Sequence, residues 1–314
     1  MLKLIGFRLV MSAMSLLLAA AFVFFLMQLS STDPVVLKLG DGAEPAMVEQ
    51  MTRELGLDRP VVVQFFSWLG NVLQGDFGVS YFTERPVTTM IMERLPVTLS
   101  LMFVSMAIAL AVGIGLGFAA GLSPDGWTDR IVTSVVSLLL AVPSFWLALI
   151  LVVLFAVNLG LLPVAGYTPI DESFGGWIVS LILPSFALSV HGIAVIARHM
   201  RGVVIDVMNS PFIEAVRARG VPRSTVIRKY VLRNALPAVL PIIGVQGAII
   251  IATSAVMEKV FVLPGLGSLM AGAVISSDLP TLQGAIVLIA AMIILINLAV
   301  DIGLGLLDPR VRPQ

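Results

Sequence analysis

Six stretches of this chain run for about twenty residues or more with almost no ionisable side chain, at about 9–30, 97–121, 131–158, 176–197, 238–257 and 284–306. Inside them the only ionisable residues are His191 and Asp301, each toward one end of its stretch. A hydrocarbon layer about 30 Å thick is crossed by about 20 helical residues, so each stretch is long enough to span it. In lipid the backbone must satisfy its own hydrogen bonds, and an uninterrupted apolar run does this as a helix. The expected fold is all-α, a polytopic bundle of six transmembrane helices. Only 12 % of residues are charged, against about a quarter in an ordinary soluble domain.

Lys3 and Arg8 precede the first stretch, as they would in a secretory signal. That stretch is longer than a usual signal core and no small-x-small cleavage site follows, so it reads as a retained anchor. Basic residues near span ends stay on the cytoplasmic side. With the N-terminus inside, the inner segments hold Lys3, Arg8, Arg130, Arg310 and Arg312 together with eight basic residues between Arg198 and Arg233. The outer segments hold Lys38, Arg53, Arg59, Arg85, Arg94 and Lys259, most of them in one long loop whose length weakens their effect. Both termini are therefore expected in the cytoplasm.

The outer loop, about 31–96, is rich in acids, among them Asp33, Asp41, Glu44, Glu49 and Glu54. Pro45 can open a helix that Gly56 closes, and Pro60 a second carrying Val62, Phe65, Phe66, Leu69 and Leu73 and closed near Gly75. Such pieces would lie on the outer surface or cap the bundle, either as a plain structured loop or as a docking surface.

The inner segment, about 198–236, sets Arg198, Arg201, Arg217, Arg219, Arg223, Arg228, Lys229 and Arg233 against only Asp206 and Glu214. Ser210-Pro211 can cap and start a helix, Glu214 suits its first turn, and Gly220 with Pro222 ends it. Phe212, Ala215, Val216 and Arg219 share one stripe of that short rod. The residues alone leave two readings open: rigid contact with a cytosolic partner, or a basic loop that fixes topology or lies on anionic lipid.

Much chemistry is missing. There is no G-x-x-x-x-G-K-[ST] phosphate loop, no H-E-x-x-H and no G-x-S-x-G, so neither an ATPase nor a hydrolase is expected in this chain. Cysteine is absent and the two histidines, His191 and His199, are too few for a metal cage. Zero net charge recruits no nucleic acid. The mid-membrane stretches lack the ionisable sites of an ion-driven carrier and offer isolated hydroxyls such as Ser105, Ser134, Ser137, Thr253 and Ser254.

Gly113, Gly117 and Gly121 form a small-residue stripe that lets a helix approach closely. Pro143 and Pro184 are expected to kink the third and fourth spans. His191 reads as packing or a helix-to-helix hydrogen bond, with substrate contact as the alternative. Asp301 is expected to pair with a basic neighbour or meet headgroups. Glu258, placed just outside span five, and Ser254 are the other candidate path contacts.

The run from Phe212 through Glu214, Ala215 and Gly220 to Arg223 resembles the E-A-A…G signature loop of ATP-binding-cassette importer permeases, with Val216 in place of the second alanine. Leu232-Arg-Asn-Ala235 is typical of the dipeptide/oligopeptide/nickel branch. Arg94 to Ser100, Glu258 to Gly267, Asn297 to Asp301, Leu307 to Arg312 and the Asp76-Phe-Gly-Val-Ser80 run agree with the same branch, in its subunit with the larger external loop. The resemblance implies a type I importer permease in the bacterial inner membrane, divided into an N-terminal helix (1–30), a periplasmic loop (31–96), a core (97–306, coupling loop 198–236) and a cytoplasmic tail (307–314). It implies as partners a homologous second permease, two ATPase subunits that hold ATP and magnesium, and a periplasmic or lipid-anchored substrate-binding protein. It implies no cofactor, metal or catalytic residue in this chain. Phe212, Glu214, Ala215, Val216, Arg217, Arg219 and Gly220 would form the coupling helix, with Phe212 or Val216 filling an apolar pocket on the ATPase. Competing readings are a self-sufficient secondary transporter or channel, and a structural membrane anchor.

Overall fold

Among the described residues of the computed structural model, each apolar run of a span's length is helical, the third with a break at Val142-Pro143. The structure describes residues 2–28, 35, 39–40, 42–54 and 56–307; Asp33, Lys38, Asp41, Arg310 and Arg312 lie outside the described residues. The elements are α1 (Leu2–Gln28), α2 (Pro45–Glu54), α3 (Val61–Leu73), α4 (Val87–Gly121), α5 (Trp127–Ala141), α6 (Ser144–Leu151, continued as π-helix over Val152–Asn158), α7 (Phe174–Met208), α8 (Pro211–Ala218), the helical run α9 (Arg223–Val260), α10 (Leu266–Ile275) and α11 (Leu279–Leu307). Among the described residues β pairing is limited to an isolated bridge between Val79 and Pro86.

Five of these helices are long and apolar enough to cross a membrane, and the pair α5 and α6 makes a sixth if it is one span. The kink expected at Pro143 in the third span takes the form of a 99° bend between α5 and α6 at a short break. Val142 is extended, with φ −91° and ψ 121°, as the crowding from a following proline ring favours. Pro143 then opens α6 as its N-cap residue. Pro184, by contrast, lies inside the unbroken α7. Glu258, expected just beyond the fifth span, sits within α9 and is fully buried.

The chain divides into two compact units. One comprises Met1–Leu9, Leu99–Leu263 and Leu295–Gln314. In it α4 and α7 run side by side in the same direction, because the glycine stripe leaves no room for anything but backbone between them. A Cβ on Gly113 would lie 2.9 Å from Ile196 Cβ, one on Gly121 2.6 Å from Val204 Cβ, and one on Gly117 would overlap the Ala197 carbonyl oxygen. Arg8 Nη1 meets Asp301 Oδ2 at 2.6 Å, the basic neighbour expected for that acid.

The other unit comprises Val10–Thr98 and Pro264–Ile294. The loop between α3 and α4 is held by the buried Asp278, which accepts hydrogen bonds from Ser80 Oγ (2.5 Å), Thr281 Oγ1 (2.7 Å) and the Tyr81 amide (3.1 Å). Burial, and then the Asp278 carboxylate, hold the Tyr81 phenol above its ordinary pKa. Asp76 accepts from the Gly78 amide at 2.8 Å, which tightens the turn that begins the Asp76–Ser80 run.

Candidate functional site

The short rod expected between Ser210 and Gly220 is present as α8, and its ends are built from local signals. Ser210 is extended, and its hydroxyl accepts from the Ile213 amide while donating to the Val207 carbonyl at 2.7 Å. Pro211 fills the first helical position, where no amide hydrogen is needed. Glu214 stands in the first turn and Arg217 in the last, both favourable to the helix dipole. Gly220 leaves the rod at φ +73°, a conformation that costs other residues about 1 kcal/mol or more.

One face of α8 is keyed into the protein. Ile213 and Val216 are buried in a cluster with Met200 and Val204 of α7 and with Val226, Val231, Ala235 and Val239 of α9. Burying two such side chains stabilises the seat by about 1.5–3 kcal/mol each. Val216 is therefore corrected as a partner contact, since it is 7 % exposed and packs on its own chain. Phe212 is half exposed, its ring edge-on to Tyr230 with centroids 5.8 Å apart. Glu214, Ala215, Arg217 and Arg219 are all exposed. The outward face thus presents one aromatic ring, one carboxylate and two guanidinium groups on a rigid, two-turn support.

That support connects to the bundle through α7. At 1.5 Å per residue, α7 is about 52 Å long, more than the hydrocarbon layer needs. Near its α8 end, Arg201 grips Asp129 of α5 with Nε to Oδ1 at 2.5 Å and Nη2 to Oδ2 at 2.6 Å. Asp129 also accepts from the Asp125 amide and the Thr133 hydroxyl. The sequence reading had not singled out this pair. Its one available signal was an acid in the first turn of a helix at the end of an apolar run.

The three candidate path residues differ in burial. His191 is exposed on α7 between two buried neighbours. Ser254 and Glu258 lie buried on α9, where Ser254 donates to the Ile251 carbonyl at 2.8 Å. Gln246, eight residues before Ser254 on the same stripe of α9, was not anticipated. Its Oε1 and the hydroxyls of Ser105 and Ser185 are buried without a hydrogen-bond partner among the described residues. Among those residues no group of acids and histidines could hold a metal ion.

The family model described as binding-protein-dependent transport system inner membrane component matches residues 113–313, and the model for the N-terminal part of such membrane components matches residues 1–102. The chain belongs to the family of binding-protein-dependent transport system inner membrane components, the permease subunits of ABC importers. It is 42 % identical over 297 residues to a putative peptide transport system permease protein of Brucella abortus, covering 95 % of each chain. It is 36 % identical over 308 residues to the oligopeptide transport system permease protein AppB of Bacillus subtilis, covering 97 % of this chain and 98 % of the other. It is 37 % identical over 298 residues to the glutathione transport system permease protein GsiC of Pectobacterium atrosepticum, covering 95 % of each. In fold it is similar to a chain of the inward-facing MetNI methionine ABC transporter, with a TM-score of 0.58 at 20 % identity over 70 % of this chain and 97 % of that one. The fold is that of a type I importer permease.

Proposed function

We propose that this chain forms half of the membrane pathway of an ATP-driven importer for small peptides or related solutes, and that α8 is the coupling helix through which an ATPase subunit moves it. The observation that carries this reading is the division of α8 into an inward face, Ile213 and Val216, locked into the core, and an outward face, Phe212, Glu214, Ala215, Arg217 and Arg219, left open. A rod held this way cannot roll on its seat, so a push on the outward face is delivered to α7 and α9. Arg217 and Arg219 meet acidic groups or carbonyl oxygens of the partner, and Phe212 fills an apolar pocket there. ATP binding draws two such rods together and turns the bundle from inward- to outward-facing, and hydrolysis resets it.

Relatives named for peptide, oligopeptide and glutathione transport support the substrate class. The remaining assembly follows the family pattern: a second homologous permease, two ATPases carrying ATP and magnesium, and a separate substrate-binding protein. The basic segment 198–236 and both termini lie in the cytoplasm of the bacterial inner membrane, and 31–96 lies outside. His191, Ser254 and Glu258 remain the proposed path contacts, now joined by Gln246.

The chain has no cysteine, so Arg217→Cys introduces a single thiol on the outward face of α8. In the intact transporter it should cross-link to a nucleotide-binding subunit, with a yield that changes when ATP is added. Labelling of that thiol from outside intact cells, or cross-linking indifferent to ATP, overturns the assignment.

A further inference from the structure

Helix α3 is apolar around far more of its circumference than the protein covers. Its sequence, Val-Val-Val-Gln-Phe-Phe-Ser-Trp-Leu-Gly-Asn-Val-Leu, contains no charged residue. At 100° per residue it has three faces. Phe65 and Trp68 occupy the first and pack on α1, with Phe24 5.4 Å from each ring and Phe25 stacked on Phe65 at 5.6 Å. Gln64, Ser67 and Asn71 make a polar face. Between them runs a third stripe, Val62, Phe66, Leu69 and Leu73, in which Phe66 is 64 % and Leu73 80 % exposed. Phe65 is in ring contact with Phe66 as well as with Phe25. The open stripe therefore continues directly into α1, whose Leu18, Phe22 and Leu26 are also exposed.

The position of α3 along α1 decides what covers this stripe. In the sequence Gln28 is followed by Leu-Ser-Ser-Thr-Asp33, so the apolar run carried by α1 gives out within about two residues of it, and the Gln28 side-chain amide donates to Gln64 Oε1 at 3.3 Å. Gln64 in turn donates to the Leu57 and Arg59 carbonyls, fixing the start of α3. α3 therefore lies at the depth where a membrane-crossing helix leaves the hydrocarbon, the level at which aromatic side chains such as Trp68 collect. A helix at that depth with a polar face and an apolar arc has the make-up of an interfacial segment, its apolar side sunk into the boundary between headgroups and acyl chains.

We infer that α3 is an interfacial membrane anchor, which buries Val62, Phe66, Leu69 and Leu73 in lipid at the end of α1 and keeps Gln64, Ser67 and Asn71 in water. Because its polar face is uncharged, the attachment depends on apolar burial and not on anionic headgroups. The inference rests on α1 being a membrane span and not on the substrate or on how ATPases dock.

The absence of native cysteine makes the test direct. Single-cysteine variants at Val62, Phe66 and Leu73, and at Ser67 and Asn71, are spin-labelled in the intact transporter reconstituted in phosphatidylcholine bilayers, and collisions with oxygen and with a water-soluble nickel chelate are compared. Oxygen should dominate at 62, 66 and 73 and the chelate at 67 and 71, alternating with the helical period and unchanged when anionic lipid is added. Chelate access at 66 and 73 equal to that at 67 overturns the inference. So does shielding of 62, 66 and 73 from both reagents, which marks a protein interface with the second permease or the binding protein. A loss of oxygen access that requires anionic lipid for its reversal overturns the claim of charge-independent attachment.

Discussion

Asp129 and Arg201, seventy-two positions apart, form a two-pronged ion pair that ties the first turn of α5 to the stretch of α7 leading into α8. Asp129 is almost wholly buried, whereas the Arg201 side chain keeps 32 % of its surface exposed. Removing the arginine alone strands a carboxylate away from water; removing the aspartate alone leaves a guanidinium that can still turn outward.

The two single variants should therefore differ. Arg201→Leu is expected to destabilise the detergent-solubilised protein by about 3 kcal/mol, the lower end for a broken buried pair, and Asp129→Ala by less. The double variant should recover part of the loss, because the orphaned charge is gone. Thermal unfolding of the four proteins closes the cycle, and strictly additive losses would show that the two residues do not act as a pair.

Gly117 and Gly115 differ by half a helical turn and by everything that surrounds them. A methyl group on Gly117 meets the Ala197 carbonyl, while one on Gly115 meets nothing within 4 Å. Gly117→Ala should cost about 1–3 kcal/mol through forced separation of α4 from α7. Gly115→Ala should be neutral or slightly stabilising, given the higher helix propensity of alanine. Equal melting temperatures for the two variants would contradict the close approach of α4 and α7.

The ends of α8 are separable from its exposed face. Ser210→Ala removes the cap and should cost about 1 kcal/mol. Gly220→Ala places a Cβ in the left-handed region and should cost about 1–2 kcal/mol, with Gly220→Asn milder. Both changes should loosen the rod and lower the number of substrates moved per ATP hydrolysed more than they lower the amount of folded protein. Proteolytic nicking after Arg217 or Arg219 provides a second readout, and unchanged protection in both variants would refute the role of the caps.

Asp278 receives donors from three directions, so it accepts but cannot usefully donate. Asp278→Asn replaces one acceptor oxygen with an amino group facing a hydroxyl. Loss of a charge-assisted hydrogen bond predicts about 1.5–3 kcal/mol of local destabilisation, seen as faster hydrogen exchange across residues 76–88. Exchange at the native rate would place the stability of that loop elsewhere.

Some of the site was legible because its signals are local. Ser210-Pro211, Glu214 and Gly220 each act within a few residues of themselves, so the rod and both its ends could be read from spacing. The inward face of α8 could not. Val216 and Phe212 are both apolar and lie near one stripe, and only the paths of α7 and α9 decide that the valine is buried and the ring is not. The same holds for Pro143 and Pro184, where one ends a helix at a 99° bend and the other rides inside one.

By itself the sequence determined the solvent, the number of apolar segments and the caps of α8, since hydropathy over twenty residues and hydrogen bonding over four are short-range quantities. Tertiary structure alone decided that Gly117 faces the Ala197 carbonyl, that Asp129 meets Arg201, that Asp278 holds Ser80, and which side of α3 is left open. Those pairings depend on helix positions fixed by packing between segments dozens of residues apart, and no local spacing encodes them.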